Sequence, residues 1–154
     1  NALDAGHGLY NLPHKVNHIC AMKLTARSEY ALLALLRLAR EKSDGHVTVE
    51  TIARAQRIPP KFLEQLLLAL KRAKYVRSQK GQGGGYRLAQ PAKSISLAQV
   101  IRLFDGALAP TDSVSEYFYE PTPIEKEKGL VKVFRQIRNF VSDTLEGTTL
   151  ADVM

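Results

Sequence analysis

The feature that most constrains the fold is a proline break between two short amphipathic helices. Thr48 can cap a first helix that ends near Arg57, because threonine at this position accepts a bond from a free backbone N–H. Ile58-Pro59-Pro60 then breaks the chain and starts a second helix, since proline is well tolerated at the first helical position. This second helix spans about 60–73, and leucines on one face predict its buried side: Leu63, Leu66, Leu67 and Leu70.

A glycine-rich segment follows, flanked by two short alternating stretches at 75–79 and 86–89. Its sequence is Lys80-Gly81-Gln82-Gly83-Gly84-Gly85, and the glycines permit the positive φ angles of a hairpin loop. Such a loop could instead cradle a nucleotide, but the spacing departs from G-x-G-x-x-G and no helix opens after it. The order of elements predicts a mainly α fold with a small β-hairpin wing, that is, a winged helix-turn-helix.

The flanking segments predict three further helices. The first spans about 24–42 with Thr25 as its cap, and Ser96-Leu97-Ala98-Gln99 is a capping box that opens another, ending at Gly106. A second capping box, Thr122-Pro123-Ile124-Glu125, opens a long helix over about 123–146. Its apolar stripe predicts dimerisation and consists of Leu130, Phe134, Ile137, Val141 and Leu145. A final turn over 149–153 is expected to dock back on the body.

Charge separates the predicted winged helix-turn-helix domain, 22–95, from the rest of the chain. Fifteen Lys/Arg against five Asp/Glu give this domain +10, whereas 96–154 carries −3. Such a balance favours an anionic partner, and an ordinary solvated basic surface is the alternative. With 45% hydrophobic residues the chain is globular, and without an apolar run of about 18–20 residues it has no membrane span.

Residues 1–21 differ from the rest, and we expect a poorly ordered extension or expression remnant ahead of a natural start at Met22. Absence of a signal peptide pattern predicts a cytoplasmic protein. His14, His18 and Cys20 are metal-ligand types, but a flexible tail is the alternative and we predict no metal site.

No nucleophile motif or catalytic constellation is visible, so we predict that the protein is not an enzyme.

The second helix of the helix-turn-helix is the candidate reader of DNA, because an α-helix fits the major groove and its N-terminal residues reach the base edges. Gln65 can bond adenine, Glu64 can accept from cytosine, and Lys61 can reach guanine or phosphate. A solvated helix face is the alternative. The predicted DNA-binding residues are Lys61, Glu64, Gln65, Arg72, Arg77, Lys80, Gly83 and Arg87.

Seven stretches together match one family pattern, nearly continuously from Met22 to about Gly106 and again near the C-terminus. They are Met22-Lys23-Leu24-Thr25, Ser28-Glu29-Tyr30-Ala31-Leu32, Ile58-Pro59-Pro60-Lys61-Phe62-Leu63-Glu64-Gln65, Gly83-Gly84-Gly85-Tyr86-Arg87-Leu88-Ala89, Ile95-Ser96-Leu97, Val100-Ile101-Arg102 and Thr149-Leu150-Ala151-Asp152. This ordered combination resembles the Rrf2 family of winged-helix regulators. The resemblance implies a homodimer joined through the long helix and a palindromic DNA site, with Glu64 and Gln65 facing the bases.

One departure from the family concerns its iron–sulfur cofactor. Cluster-binding members carry three cysteines before the dimer helix, whereas residues 107–128 contain none, and Glu29 alone cannot hold a cluster. We therefore predict no cofactor. The loop 107–121 carries Tyr117-Phe118-Tyr119 among acidic residues, so a small-molecule effector or a protein partner is expected at 107–128. For the aromatics themselves, packing against the long helix is the favoured interpretation.

The sequence thus predicts a sequence-specific transcriptional regulator, a repressor, that binds double-stranded DNA as a homodimer. A winged-helix adaptor that binds a protein partner without specific DNA recognition is the competing hypothesis. The +10 charge of 22–95 argues against the adaptor, because a protein-binding helix has little need of that charge.

Overall fold

The computed structural model describes residues 23–42 and 45–154, and in these ranges it confirms the mainly α fold with a two-stranded wing. The helices are α1 (Ala26–Ala39), α2 (Val49–Gln56), α3 (Pro60–Arg72), α4 (Leu97–Asp105) and α5 (Lys128–Gly147), and the strands are β1 (Val76–Gln79) and β2 (Gly85–Leu88). Short 3-10 turns lie at Ala92–Ser94, Asp112–Val114, Pro123–Lys126 and Leu150–Val153. No helix in these ranges is long and apolar enough to cross a membrane. The candidate ligands His14, His18 and Cys20 lie outside the described residues.

Local capping signals set the ends of α2 and α4 as the sequence predicts. The hydroxyl of Thr48 accepts from the Thr51 backbone N–H at 3.2 Å, and Arg57 ends α2 in the left-handed region with φ 55°. At the start of α4 the capping box is complete. Ser96 Oγ accepts from the Gln99 N–H at 3.2 Å, and Gln99 Oε1 accepts from the Ser96 N–H at 3.0 Å.

The start of α5 differs from the prediction. Pro123–Lys126 forms a 3-10 turn, and α5 begins at Lys128. The predicted capping box is wrong because the hydroxyl of Thr122 bonds outside its own helix, donating to Ser113 Oγ at 2.8 Å. The 3-10 turn is therefore tied to the preceding loop.

The wing is joined to the body by an isolated β-bridge ahead of α2. Val47 and Tyr86 exchange backbone hydrogen bonds, each of 2.8 Å, so the hairpin continues into the turn before α2. Gly85 lies at φ 140°, and a Cβ there would overlap the carbonyl oxygen of Val47. Glycine is therefore required at this position for the close backbone approach.

The core of the winged-helix domain gathers around α1, which packs on α2, α3, α4 and β2. The C-terminal turn contributes Leu150, which is fully buried in the same cluster. Its backbone N–H donates to the Ile95 carbonyl, and that of Leu97 donates to the Thr148 carbonyl, both at 2.9 Å. The prediction that the final turn docks back on the body is confirmed.

Candidate nucleic-acid interface

The buried face of α3 decides which side chains it presents outward. Four of the five leucines of α3 are at most 1% exposed and anchor the helix on the core. Because positions three and four apart share a helix face, the remaining residues at this spacing point away from the core. The exposed residues of α3 include Lys61, Glu64, Gln65, Leu68 and Arg72.

Leu68 belongs to this face but was not among the predicted site residues. It is 47% exposed and lies one helical turn beyond Glu64 and Gln65. An apolar side chain on a helix in the major groove can contact the methyl group of thymine. The signal for Leu68 was its spacing, since it follows Gln65 by three residues and precedes Arg72 by four.

The two strands of the wing place their arginines on one face. Arg77 pairs with Arg87 across the hairpin, and directly opposed residues of antiparallel strands point to the same side. The neighbouring residue Ser78 points to the other side, where its Oγ accepts from Lys71 Nζ of α3 at 2.6 Å. Arg77 and Arg87 therefore face away from α3, and together they line an open cavity of about 250 Å³ beside the end of α1.

The tip of the wing is open to an approaching surface. Lys80 and Gly83 are both exposed, and the Gly84 N–H donates to the Gly81 carbonyl at 2.9 Å to close the turn. Gly83 adopts φ 73°, with no atom within 4 Å of where a Cβ would lie. The arrangement places one cation beside bare backbone, which suits contact with a phosphate or the minor groove.

The predicted dimerisation stripe of α5 divides between two sides of the helix. Val141 and Leu145 line a cavity of about 240 Å³ together with residues of α4 and the following loop. Other apolar residues of α5 face solvent, and Phe140 is 73% exposed. We call Leu130, Val133, Ile137 and Phe140 the α5 seam. Val133 and Phe140 were not among the predicted residues.

The loop before α5 leaves its aromatics largely outside. Tyr117, Phe118 and Tyr119 are 64%, 46% and 57% exposed, so packing against the long helix covers them only in part. Tyr119 instead donates from its hydroxyl to Glu125 at 2.7 Å, and this hydrogen bond raises the pKa of Tyr119. The buried part of the loop is the short turn around Val114.

These features define a winged-helix DNA-binding protein. They are the outward face of α3, the wing, and the basic domain that holds both. The sequence profile of the Rrf2 family, described as an iron-dependent transcriptional regulator, matches residues 24–154, and the chain belongs to this family. An HTH-type transcriptional regulator of Mycobacterium tuberculosis (strain H37Rv) is 41% identical over 133 residues, covering 86% of this chain and 81% of the relative.

Two solved structures support the same assignment. The structure of CymR, the global cysteine regulator of B. subtilis, is similar with a TM-score of 0.68 and 28% identity, covering 85% of this chain and 95% of that one. That of T. potens IscR has a TM-score of 0.65 and 26% identity, covering 85% of each chain. The protein is accordingly a DNA-binding transcriptional regulator rather than an enzyme.

The residues before α5 do not fit an iron–sulfur cluster. Such clusters are held mainly by cysteine thiolates, and residues 23–42 and 45–154 contain no cysteine. In these same ranges no three His, Asp or Glu side chains come together as metal ligands. Glu29, where the family can supply a carboxylate ligand, is an exposed residue of α1.

Proposed function

We propose that the protein represses transcription as a homodimer, reading the bases of a palindromic operator with α3 and its backbone with the wing. The exposed face of α3 carries this proposal, because its leucines fix the helix with Glu64 and Gln65 outward. These two residues would contact base edges, and Gly83 would let the wing backbone approach closely. The phosphates would be neutralised by Lys61, Arg72, Arg77, Lys80 and Arg87.

The α5 seam supports the homodimer. Its residues follow one another at intervals of three, four and three, which is the spacing of a coiled-coil face. A second copy of the chain would cover these side chains, of which Leu130 and Val133 are each 49% exposed. Two-fold protein symmetry would then match a palindromic operator.

Residues 107–128 are the proposed site of the signal, a small-molecule effector or a protein partner. Their exposed aromatic side chains and acidic residues lie between α4 of the body and the α5 seam. A change in this segment would therefore alter how the dimer helix meets the DNA-binding domain. We propose a cytoplasmic location, where a regulator of this kind meets DNA.

The test is a fluorescence-anisotropy titration with DNA from upstream of the protein's own gene and with random duplex, each at two salt concentrations. We expect at least about a thousandfold tighter binding to the upstream DNA, with both affinities falling steeply in salt. Weak and equal binding to both duplexes would favour the winged-helix adaptor. Light scattering on the same samples tests the homodimer.

A further inference from the structure

Two arginines from different helices face one small space beneath the loop between α4 and α5. Arg102 of α4 and Arg138 of α5 line this space together with Ser115 and Glu116 of the loop. Its volume is about 10 Å³, which is room for about one water molecule. The side chains of the two arginines are only 19% and 18% exposed, so both cations are largely removed from solvent.

The charge of Arg102 is well balanced by its surroundings. Its Nη2 donates to Ser142 Oγ at 3.0 Å and to the carboxylate of Glu146, and the Tyr117 ring lies 4.6 Å from its guanidinium carbon. Ser142 is 4% exposed and donates in turn to Glu146 at 3.1 Å. The hydrogen bond from Arg102 is the main cause that lowers the pKa of Glu146. This part of the cluster is a complete structural network.

Arg138 is balanced less completely. A guanidinium has five N–H donors, yet within the described chain Arg138 makes one side-chain hydrogen bond, from Nη1 to Glu116 Oε2 at 3.1 Å. Its Nε is buried without a partner. Glu116 itself is a loop residue whose side chain is 53% exposed. A mostly buried cation therefore depends on one carboxylate that solvent can reach, and ion pairs of this kind are weak.

We propose that Arg138 binds a small-molecule carboxylate, which takes the place of the Glu116 side chain. Arginine suits this ligand because its planar fork matches a carboxylate with two parallel N–H donors. The apolar part of the ligand lies against Leu108 and Phe118, which line the same space. Because the space holds about one water molecule with Glu116 in place, the proposal requires the Glu116 side chain to turn outward and widen it. This inference rests on the proposed signalling role of residues 107–128 and names the chemical class of the effector.

Isothermal titration with benzoate, and with benzamide as its uncharged counterpart, tests the proposal on the full chain without DNA. Glu116→Gln removes the competing carboxylate, so benzoate should bind this variant about threefold to fivefold more tightly than the original protein. Glu120→Gln is the matched control, since it makes the same charge change at an exposed residue of the same loop. The control should match the original protein, and Arg138→Gln should weaken benzoate binding at least about tenfold.

Three results would each overturn the proposal. They are equal binding of benzamide and benzoate, an equal effect of Glu116→Gln and Glu120→Gln, and no binding of about 10 mM benzoate to Glu116→Gln. Because Glu116 is exposed, its variant keeps the test valid even where Arg138→Gln fails to fold. The titration contains no DNA, so it fails or succeeds independently of operator binding by the same preparation.

Discussion

The carboxylate of Asp105 caps the first helix through Thr25, a residue eighty positions earlier in the chain. It accepts from the Thr25 backbone N–H at 3.1 Å and from the Thr25 hydroxyl at 2.5 Å. The same carboxylate accepts from the hydroxyl of Ser28, which is fully buried. Thr25 stands at the N-cap of α1, yet its side chain bonds Asp105 instead of its own helix. A negative charge thus lies at the positive end of the α1 dipole.

We expect Asp105→Asn to lower the free energy of unfolding by about 1–2 kcal/mol, the usual range for losing a helix cap. The amide keeps the shape of the side chain but loses the charge and one acceptor. Urea denaturation followed by circular dichroism measures the change. Asp143→Asn, at an exposed position of α5, is the control. Equal midpoints for the two variants would contradict the capping role.

Gln65→Ala should relax the base preference of the protein, because a lost bidentate contact costs about 1–3 kcal/mol on the preferred site. Binding to random duplex should hardly change. Competition titrations with the operator and with single-base variants of it measure the preference. Equal losses on the operator and on random DNA would exclude base reading by Gln65.

Lys80→Ala should weaken binding to every duplex and reduce the salt slope by about one, since it removes one phosphate contact. The slope is measured as the change of log affinity with log salt concentration. An unchanged slope would remove Lys80 from the interface. Lys93→Ala, at an exposed residue outside the wing, controls for the change in net charge.

Phe140→Glu should give a monomer in light scattering at micromolar concentration, because it replaces the most exposed apolar side chain of the α5 seam with a charge. Val141→Ala should keep the dimer but lower the melting temperature, since Val141 lines a cavity against its own α4 and loop. Together the two variants distinguish the α5 seam from the side of α5 that packs against the body. A monomeric mass for the original protein would rule out the α5 dimer.

The network around Glu146 predicts a loss of stability in acid. The pKa of Glu146 is lowered from its ordinary 4.5, chiefly by the Arg102 hydrogen bond and then by Ser142. A lowered folded pKa means that this contribution is complete above pH 4.5 and is lost as pH falls through the folded value. Glu146→Gln should therefore flatten the decline of unfolding free energy below that pH. A decline as steep as in the original protein would contradict the assignment.

Local signals were sufficient to predict α2, α3 and the wing from the sequence. Each of these signals acts within a few residues, so its effect can be predicted without any distant contact. The signals are the Thr48 cap, the proline break and the glycines of the wing. The wrong capping box at Thr122 shows the limit. The Thr122 hydroxyl bonds Ser113, nine residues earlier, instead of capping its own helix. The sequence pattern does not reveal which of these two hydrogen bonds forms.

The two sides of α5 could not be separated from the sequence for a related reason. Val133 and Phe134 are adjacent, as are Phe140 and Val141, and each pair offers apolar residues at the same spacing. Which apolar side chains face the body is decided by contacts with α4 and the start of the preceding loop, and the sequence of α5 alone does not reveal these contacts. The Arg102 network is likewise invisible locally, because its partners Ser142 and Glu146 follow forty or more residues later.

The burial of Leu150 has a consequence for how the protein folds as it is made. The first helix, α1, begins at Ala26, but the core around it includes Leu150, a side chain that is synthesised more than 120 residues later. A ribosome-bound chain can form the helices around α1 early, yet it cannot complete their packing until residue 150 has left the exit tunnel. The packing around α1 is therefore completed only after α5 has been synthesised, so α5 is always present when this core matures.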